Sequence, residues 1–383
     1  MPGMINAIGG LLAASSIAIA QPVTVEIVTD EDRWNYPFNQ TPGTRVNAST
    51  FAALFEPGFD DYDAQFVVGF NTMGVVTPGL APICYRVTGA RVLAVIETSQ
   101  GVVFDPTFDS FAQFLPVGDP RRVEPDPGTP LELYGLGYRG TFSPGSDGVP
   151  IPVTAQTWTE TSIFGLAPLI PPAFEQRFVF ATGFDGNGMP VNISNRFREE
   201  FDASPLAIGT IDGLSQGDTI PSDSIVAFDI DLASGPALRM IQDGLASGRL
   251  RFTIASAHPA TGSDAGGGGG SGQFPIWYTR ENPVAQILGF EPRLELTVEI
   301  RNPADINTST AFNPSAPGFG IPDGQISPSD FTAFVTFFSA GDLRADLNSA
   351  TAFSPIAPDF GVPDGLLTPA DFAAFVFFYQ NGC

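Results

Sequence analysis

Along the first three quarters of the chain, apolar and polar residues alternate over short runs, and only near the end does the period lengthen. Val23-Thr24-Val25-Glu26-Ile27-Val28 changes side at each step around Glu26, as a strand with one wet face does. Comparable runs occupy 64–70, 85–98, 131–138, 174–182, 224–232, 250–256 and 294–300, separated by Gly, Pro, Asn and Asp. So many short strands with such punctuation predict a mainly β chain, an antiparallel β-sandwich of jelly-roll-like type. One helix is expected inside it, at 235–245, with Ala237, Met240, Ile241 and Leu245 on one face, Pro236 at its start and Gly248 beyond its end. Past Arg301 the spacing becomes helical: Phe331, Phe334, Val335 and Phe338 form one stripe, and Phe372, Phe375, Val376 and Tyr379 another. Two short helices are predicted there, packed face to face because neither can bury its Phe row alone.

These two helices belong to a tandem repeat. Ala304-Asp305-Ile306-Asn307, Thr310-Ala311-Phe312, Pro322-Asp323-Gly324 and Asp330-Phe331 recur 41 residues later as Ala345-Asp346-Leu347-Asn348, Thr351-Ala352-Phe353, Pro363-Asp364-Gly365 and Asp371-Phe372. A duplicated unit is read as one structural element written twice. The composition changes with it: from Arg301 onward there are eight Asp, no Glu and twelve Phe.

Charge narrows the range of partners. The chain has 383 residues and a net charge of -24, and all 17 cationic side chains are Arg. Nucleic acid requires a basic footprint that this chain lacks, and an anionic membrane surface is excluded on the same ground. The apolar run 5–20 closes on Ala18-Ile19-Ala20, which reads as a signal peptide cleaved near Ala20 and predicts a secreted or cell-surface protein. No later run is long enough to span a bilayer, so no transmembrane span is expected in the mature chain. Cys84 and Cys383 are too few for a disulfide framework, and Cys84 reads as a buried free thiol, with a bridge between the two as the alternative.

Candidate chemistry in the larger region is sparse. Gly213-Leu214-Ser215-Gln216-Gly217 fits the nucleophile-elbow formula, but Pro221 and a further strand follow where a helix should leave, so a surface turn is expected. His258 is the sole histidine and the one base such a serine could use. Asp60, Asp61 and Asp63, and Glu199 with Glu200, read as solvated carboxylates. Gly266 to Gly270 reads as a flexible connection. Trp277-Tyr278 reads as an edge strand with one ring buried, or as a stacking surface for sugar rings. Trp34 reads equally as core cover or as contact surface.

In the repeat, Asp-x-Asn followed by Asp-Gly-x-(Ile/Leu)-(Ser/Thr)-x-x-Asp is the order in which an EF-hand loop presents oxygen ligands to calcium. The first site would use Asp305, Asn307, Asp323, the Gln325 carbonyl, Ser327 and Asp330. The second would use Asp346, Asn348, Asp364, the Leu366 carbonyl, Thr368 and Asp371. Ile326 and Leu367 are expected to point inward and join the two loops. Between the second and third ligands of each copy stand 15 residues where an ordinary loop has one. The inserted segments carry matching Pro317-Gly318-Phe319-Gly320 and Pro358-Asp359-Phe360-Gly361, so an ordered excursion is expected, and the first two ligands reach the ion only if it folds back.

On these residues the last 80 or so positions resemble the dockerin domain, and more narrowly the dockerin-like tails of exported bacterial proteins that end in Gly-Cys, here Gly382-Cys383. The resemblance implies a calcium-binding anchor whose partner is a cohesin-like receptor or the cell envelope. The expected organisation is a signal peptide at 1–20, a β-sandwich at 21–300, a linker at 301–304 and the tandem module at 305–383. The expected function is a non-catalytic binding or structural protein, with polysaccharide as the candidate ligand. The alternative is a carbohydrate-active hydrolase or lyase on a jelly-roll scaffold.

Overall fold

The computed structural model describes residues 22–383 apart from 37–38, 40, 57–58, 100, 124, 143–150, 162–178, 261–272, 356 and 358–359. The proposed signal peptide, the Gly266 to Gly270 run and part of the second insertion therefore lie outside the described residues. Two compact units divide the described residues, Val23–Val298 and Glu299–Cys383.

The larger unit is built of β1 (Val23–Val28), β2 (Glu31–Asn35), β3 (Asn47–Ser49), β4 (Gln65–Asn71), β5 (Tyr85–Thr98), β6 (Leu131–Tyr138), β7 (Gly140–Phe142) and β8 (Ile151–Val153). It continues with β9 (Val179–Phe184), β10 (Pro190–Asn192), β11 (Ala207–Ile208), β12 (Ser224–Asp229), β13 (Arg249–Ser256), β14 (Ile276–Tyr278) and β15 (Arg293–Ile300). One antiparallel sheet has the order β1-β15-β5-β14-β3 with β12 also on β5; the other has β10-β9-β6-β13-β4-β2 with β11 on β6. A small ribbon pairs β7 with β8. The result is a sandwich-like, mainly β unit.

The alternation read from sequence has a direct physical expression in β15. Leu294, Leu296 and Val298 are buried while Arg293, Glu295 and Thr297 between them are not. Central strands instead bury both faces: six of the seven residues of β4 are inaccessible, flanked by β13 and β2, with Phe252 opposite Val68 and Trp34 opposite Phe66. Among the described residues two helices, rather than the single one expected, accompany the sheets. α1 (Gly235–Ser247) buries Ala237, Ile241 and Leu245 and ends on Gly248 at φ 79. α2 (Pro283–Leu288) is one and a half turns capped by the Asn282 side chain, too short to leave a periodic signal.

Trp277 and Tyr278 are both buried, at 0% and 6% exposure, because β14 lies between β5 and β3 and not at an edge. Neither ring offers a face to sugar, which corrects both readings of that pair. Cys84 is fully buried, but the structure leaves no free cysteine, which corrects the thiol reading.

In the smaller unit, α3 (Pro328–Ala340) and α4 (Pro369–Asn381) stand 41 positions apart. They meet through Phe334 and Phe375, whose rings stack at 4.1 Å, flanked by Phe331 on Phe375 and Phe334 on Phe372. The buried face is one position removed from the expected stripe. It consists of Asp330, Ala333, Phe334 and Phe337 in α3, and Asp371, Ala374, Phe375 and Phe378 in α4, while Phe331, Val335 and Phe372 are exposed. The carboxylate at the start of each helix is drawn inward by backbone donors, and that rotation selects which of several Phe-rich stripes is covered.

Candidate functional site

Both copies of the repeat are closed by the same side chains. Asp305 accepts the N–H groups of Asp323 at 3.1 Å and Gly324 at 2.7 Å, and Asp346 accepts those of Asp364 and Gly365 at 3.3 and 2.6 Å. Asn307 Oδ1 accepts from Gly320 N–H at 2.7 Å, and its amide donates to the Ala311 and Ser329 carbonyls. Asn348 repeats this with Gly361, Ala352 and Ala370. Asp330 Oδ1 takes the N–H groups of Ile306 and Asn307 while its Oδ2 takes the N–H and hydroxyl of Ser327; Asp371 does the same with Leu347, Asn348 and Thr368.

The inserted segments thus fold back and bring the split halves together. Gly320 and Gly361 each turn at φ 75, in the left-handed region, to deliver the N–H that Asn307 or Asn348 receives. A Cβ at Gly320 would stand 2.6 Å from the Arg344 guanidinium and 3.0 Å from the Phe337 ring. Phe319 and Phe360 seal each insertion against Phe337 and Phe378. Asp323 accepts from Ser309 and Gln325, and Asp364 from Ala350 and Leu366. Ile326 is exposed and Leu367 half-buried, so the expected inward pair joining the loops is not formed.

Burial pushes the carboxyls of Asp305, Asp330 and Asp346 up, against the backbone donors that each accepts. At Asp323 burial acts the same way, but hydrogen bonds from Ser309 and Gln325 outweigh it and hold the group below its ordinary value. The oxygens are hard donors of the kind calcium takes. Each carboxylate, however, is occupied with main-chain N–H groups, and the three of a copy do not converge.

Convergence occurs elsewhere. Among the described residues, the one trio of acidic side chains whose ligand atoms all lie within 4.8 Å of one another is Asp105, Asp109 and Asp126. All three stand in the connection from β5 to β6, which also carries a single 3-10 turn, Phe111–Phe114. Thr107 donates to Asp105 and Asp126, and so does Gln216 Nε2, at 3.1 and 2.6 Å. Gly128, at φ 101, lets the chain pass where a Cβ would stand 2.8 Å from that of Asp105. Burial first, then the charges of Asp105 and Asp126, push Asp109 up to about 7. Nothing in the sequence pointed to this trio, because its spacing matches no loop motif and Gln216 arrives from a distant turn.

That turn is the Gly213 to Gly217 motif. Ser215 is exposed, its N–H binds Asp218, and no helix leaves the segment, so the turn reading holds. His258 is remote from such chemistry: it is buried, and neither ring nitrogen has a partner. Burial lowers it to about 4. An unfolded chain protonates this side chain near pH 6.5, so its stabilising effect is complete above 6.5 and is lost as pH falls towards 4, by up to about 3 kcal/mol. Urea melts at pH 7 and 4.5 should show His258→Phe losing less stability on acidification than the unaltered chain; equal losses would remove the histidine from the account.

Asp60, Asp61 and Asp63, expected in solvent, are buried at 3%, 0% and 3% exposure. Asp61 accepts the N–H groups of the nearby Phe55 and of Arg198, and Asp60 accepts from the Asn195 amide; Arg198 and Asn195 lie more than a hundred residues away, where adjacency in sequence could not reveal them. Glu199 and Glu200 are exposed as expected, with Glu200 paired to Arg121. Trp34 is half-buried, stacked on Tyr36 at 4.9 Å and donating to the Ser49 carbonyl.

No protein-family model matches the chain, and no curated protein matches it. Among solved structures, a chain of the unassembled KI polyomavirus VP1 pentamer is similar over 75% of this chain and 97% of its own, at 12% identity and a TM-score of 0.20. A likeness at that score carries no argument about fold or function. Among the described residues no helix is long and apolar enough to cross a membrane.

Proposed function

We propose that the chain is an exported, non-catalytic surface or assembly protein, a jelly-roll-like binding or structural unit held in place by a dockerin-like, calcium-responsive tail. The observation that carries this reading is the return of Asp305 to the Asp323-Gly324 turn and of Asp346 to Asp364-Gly365 across two inserted segments. A turn that sets a first and third ligand side by side is what an EF-hand loop needs. Calcium would be held by Asp305, Asn307, Asp323, Ser327 and Asp330 with the Gln325 carbonyl, and by Asp346, Asn348, Asp364, Thr368 and Asp371 with the Leu366 carbonyl. It would supply charge neutralisation for carboxylates that burial otherwise disfavours. The partner of such a tail is a cohesin-like receptor or the cell envelope.

Polysaccharide is the ligand class proposed for the larger unit, and the half-buried stack of Trp34 on Tyr36 is the aromatic surface that supports it. Calorimetric titration of the full chain with calcium tests the tail. Asp323→Ala with Asp364→Ala should remove two binding events; an unchanged stoichiometry would discard metal from the tail. Incubation with a panel of glycans tests the rest, and release of reducing sugar would overturn the non-catalytic reading in favour of a hydrolase or lyase.

A further inference from the structure

The connection between β5 and β6 runs from 99 to 130 with one 3-10 turn as its described regular element. Connections of that length with little regular structure of their own are uncommon in a compact unit and are usually functional or disordered. Here three carboxylates gather instead of repelling one another apart. Asp105 is 1% and Asp109 4% exposed. Arg196, the cation that acts on Asp109, is already committed to Glu132 at 3.2 Å. The trio therefore gathers three acidic groups around one point without a cation of its own.

Its hydrogen bonding is incomplete in a specific way. Thr107 and Gln216 satisfy Asp105 Oδ1, yet Asp105 Oδ2 is buried with no partner. Asp109 Oδ1 is likewise buried and unpartnered. Gln113 sets its amide nitrogen 3.5 Å from Asp126 Oδ1, and its own Oε1 is a third buried acceptor without a donor. Buried acceptors left unpaired are costly, and two of them on the carboxylates of one converging trio call for a shared positive partner.

We propose that Asp105, Asp109 and Asp126 form a calcium site that fastens the 99–130 connection. The separation supports the size of ion: ligand atoms within 4.8 Å of one another fit around a cation bound at about 2.4 Å, as calcium is. An all-oxygen set rich in carboxylate selects a hard cation over zinc or copper. Ligands carried on a loop suit calcium's flexible coordination better than the strict octahedron and retained waters of magnesium. Gln216 holds Asp105 and Asp126 from the far side, so the ion would also fasten the 213–218 turn to this connection.

The test uses the full chain carrying Asp323→Ala and Asp364→Ala, so that any response of the tail is separated from that of the trio. Added calcium should bind once per chain, and at one hundred times its dissociation constant should favour the folded state about 100-fold, read as a rise in Tm. Adding Asp109→Asn should abolish that rise while raising the Tm in EDTA, because one of three repelling charges is gone. Hydrogen exchange on the chain without the Asp109 change gives a second readout: calcium should slow exchange in peptides from 102–128. No calcium-dependent rise in Tm, a rise that survives Asp109→Asn, or no slowing in those peptides would each overturn the site. A response to magnesium with none to calcium would overturn the choice of ion.

Discussion

Replacing Arg196 with Met is expected to cost about 3–5 kcal/mol of stability, the range for breaking a buried ion pair from one side. The guanidinium is fully buried and binds Glu132 at 3.2 Å, the Tyr134 hydroxyl at 3.3 Å and the Asp109 carbonyl at 2.9 Å. It also lies over the Phe197 ring at 4.6 Å and near that of Tyr62 at 5.5 Å. Tyr62 donates to the second oxygen of the same glutamate at 2.6 Å, so carboxylate, guanidinium and two phenols form one closed network. Burial pushes the Glu132 carboxyl up, against the pull of Arg196 and Tyr62. Without the arginine, a buried acid must stay charged without a counter-ion or take up a proton. Urea melts at pH 7 measure the loss, and Arg196→Met with Glu132→Leu should recover part of it. A loss below about 1 kcal/mol for the single change would mean that the pair does not hold this core together.

Asn307→Asp should destabilise the smaller unit by about 3–5 kcal/mol, although aspartate is the stronger calcium ligand. The reason is the amide nitrogen. Asn307 is fully buried and donates to the Ala311 carbonyl at 2.5 Å and the Ser329 carbonyl at 3.0 Å. A carboxylate there can donate to neither and sets a negative charge against both, close to Asp330. Asn348→Asp should behave alike. Thermal melts followed by far-UV circular dichroism, with calcium and with EDTA, separate two roles for the residue. Tighter calcium binding with unchanged stability in EDTA would make Asn307 a ligand first and a clamp second.

Much of the fold could be read from residue order, and the failures have physical causes. Strands such as β5 and β6 carry enough alternation and flanking punctuation to be placed at their ends, 85–98 and 131–138. The three-residue β3 and β10 cannot, since three residues hold no measurable period. In the tail, the duplication marked which residues carry structure: Asp305 returns to the Asp323-Gly324 turn and Asp330 to the Ile306-Asn307 backbone. Their partners were not legible: the donors are mostly main-chain N–H groups, which a sequence shows as identical everywhere. The helix faces were misplaced by one position because Phe331, Phe334, Phe337 and Phe338 make several stripes equally apolar. Asp105, Asp109 and Asp126 went unseen because only the folded loop gives their spacing a meaning.

The doubled architecture of the tail also bears on the order in which it can form. Each clamp closes within its own copy, between residues 13 to 24 positions apart, whereas the stack of Phe334 on Phe375 joins the copies across 41. Contacts of short sequence separation form at lower entropic cost and sooner than distant ones. Two nuclei can therefore arise independently, each organised by its asparagine and its two framing aspartates, and dock afterwards through their phenylalanines. A lesion in one clamp would then delay docking while leaving the other copy free to nucleate.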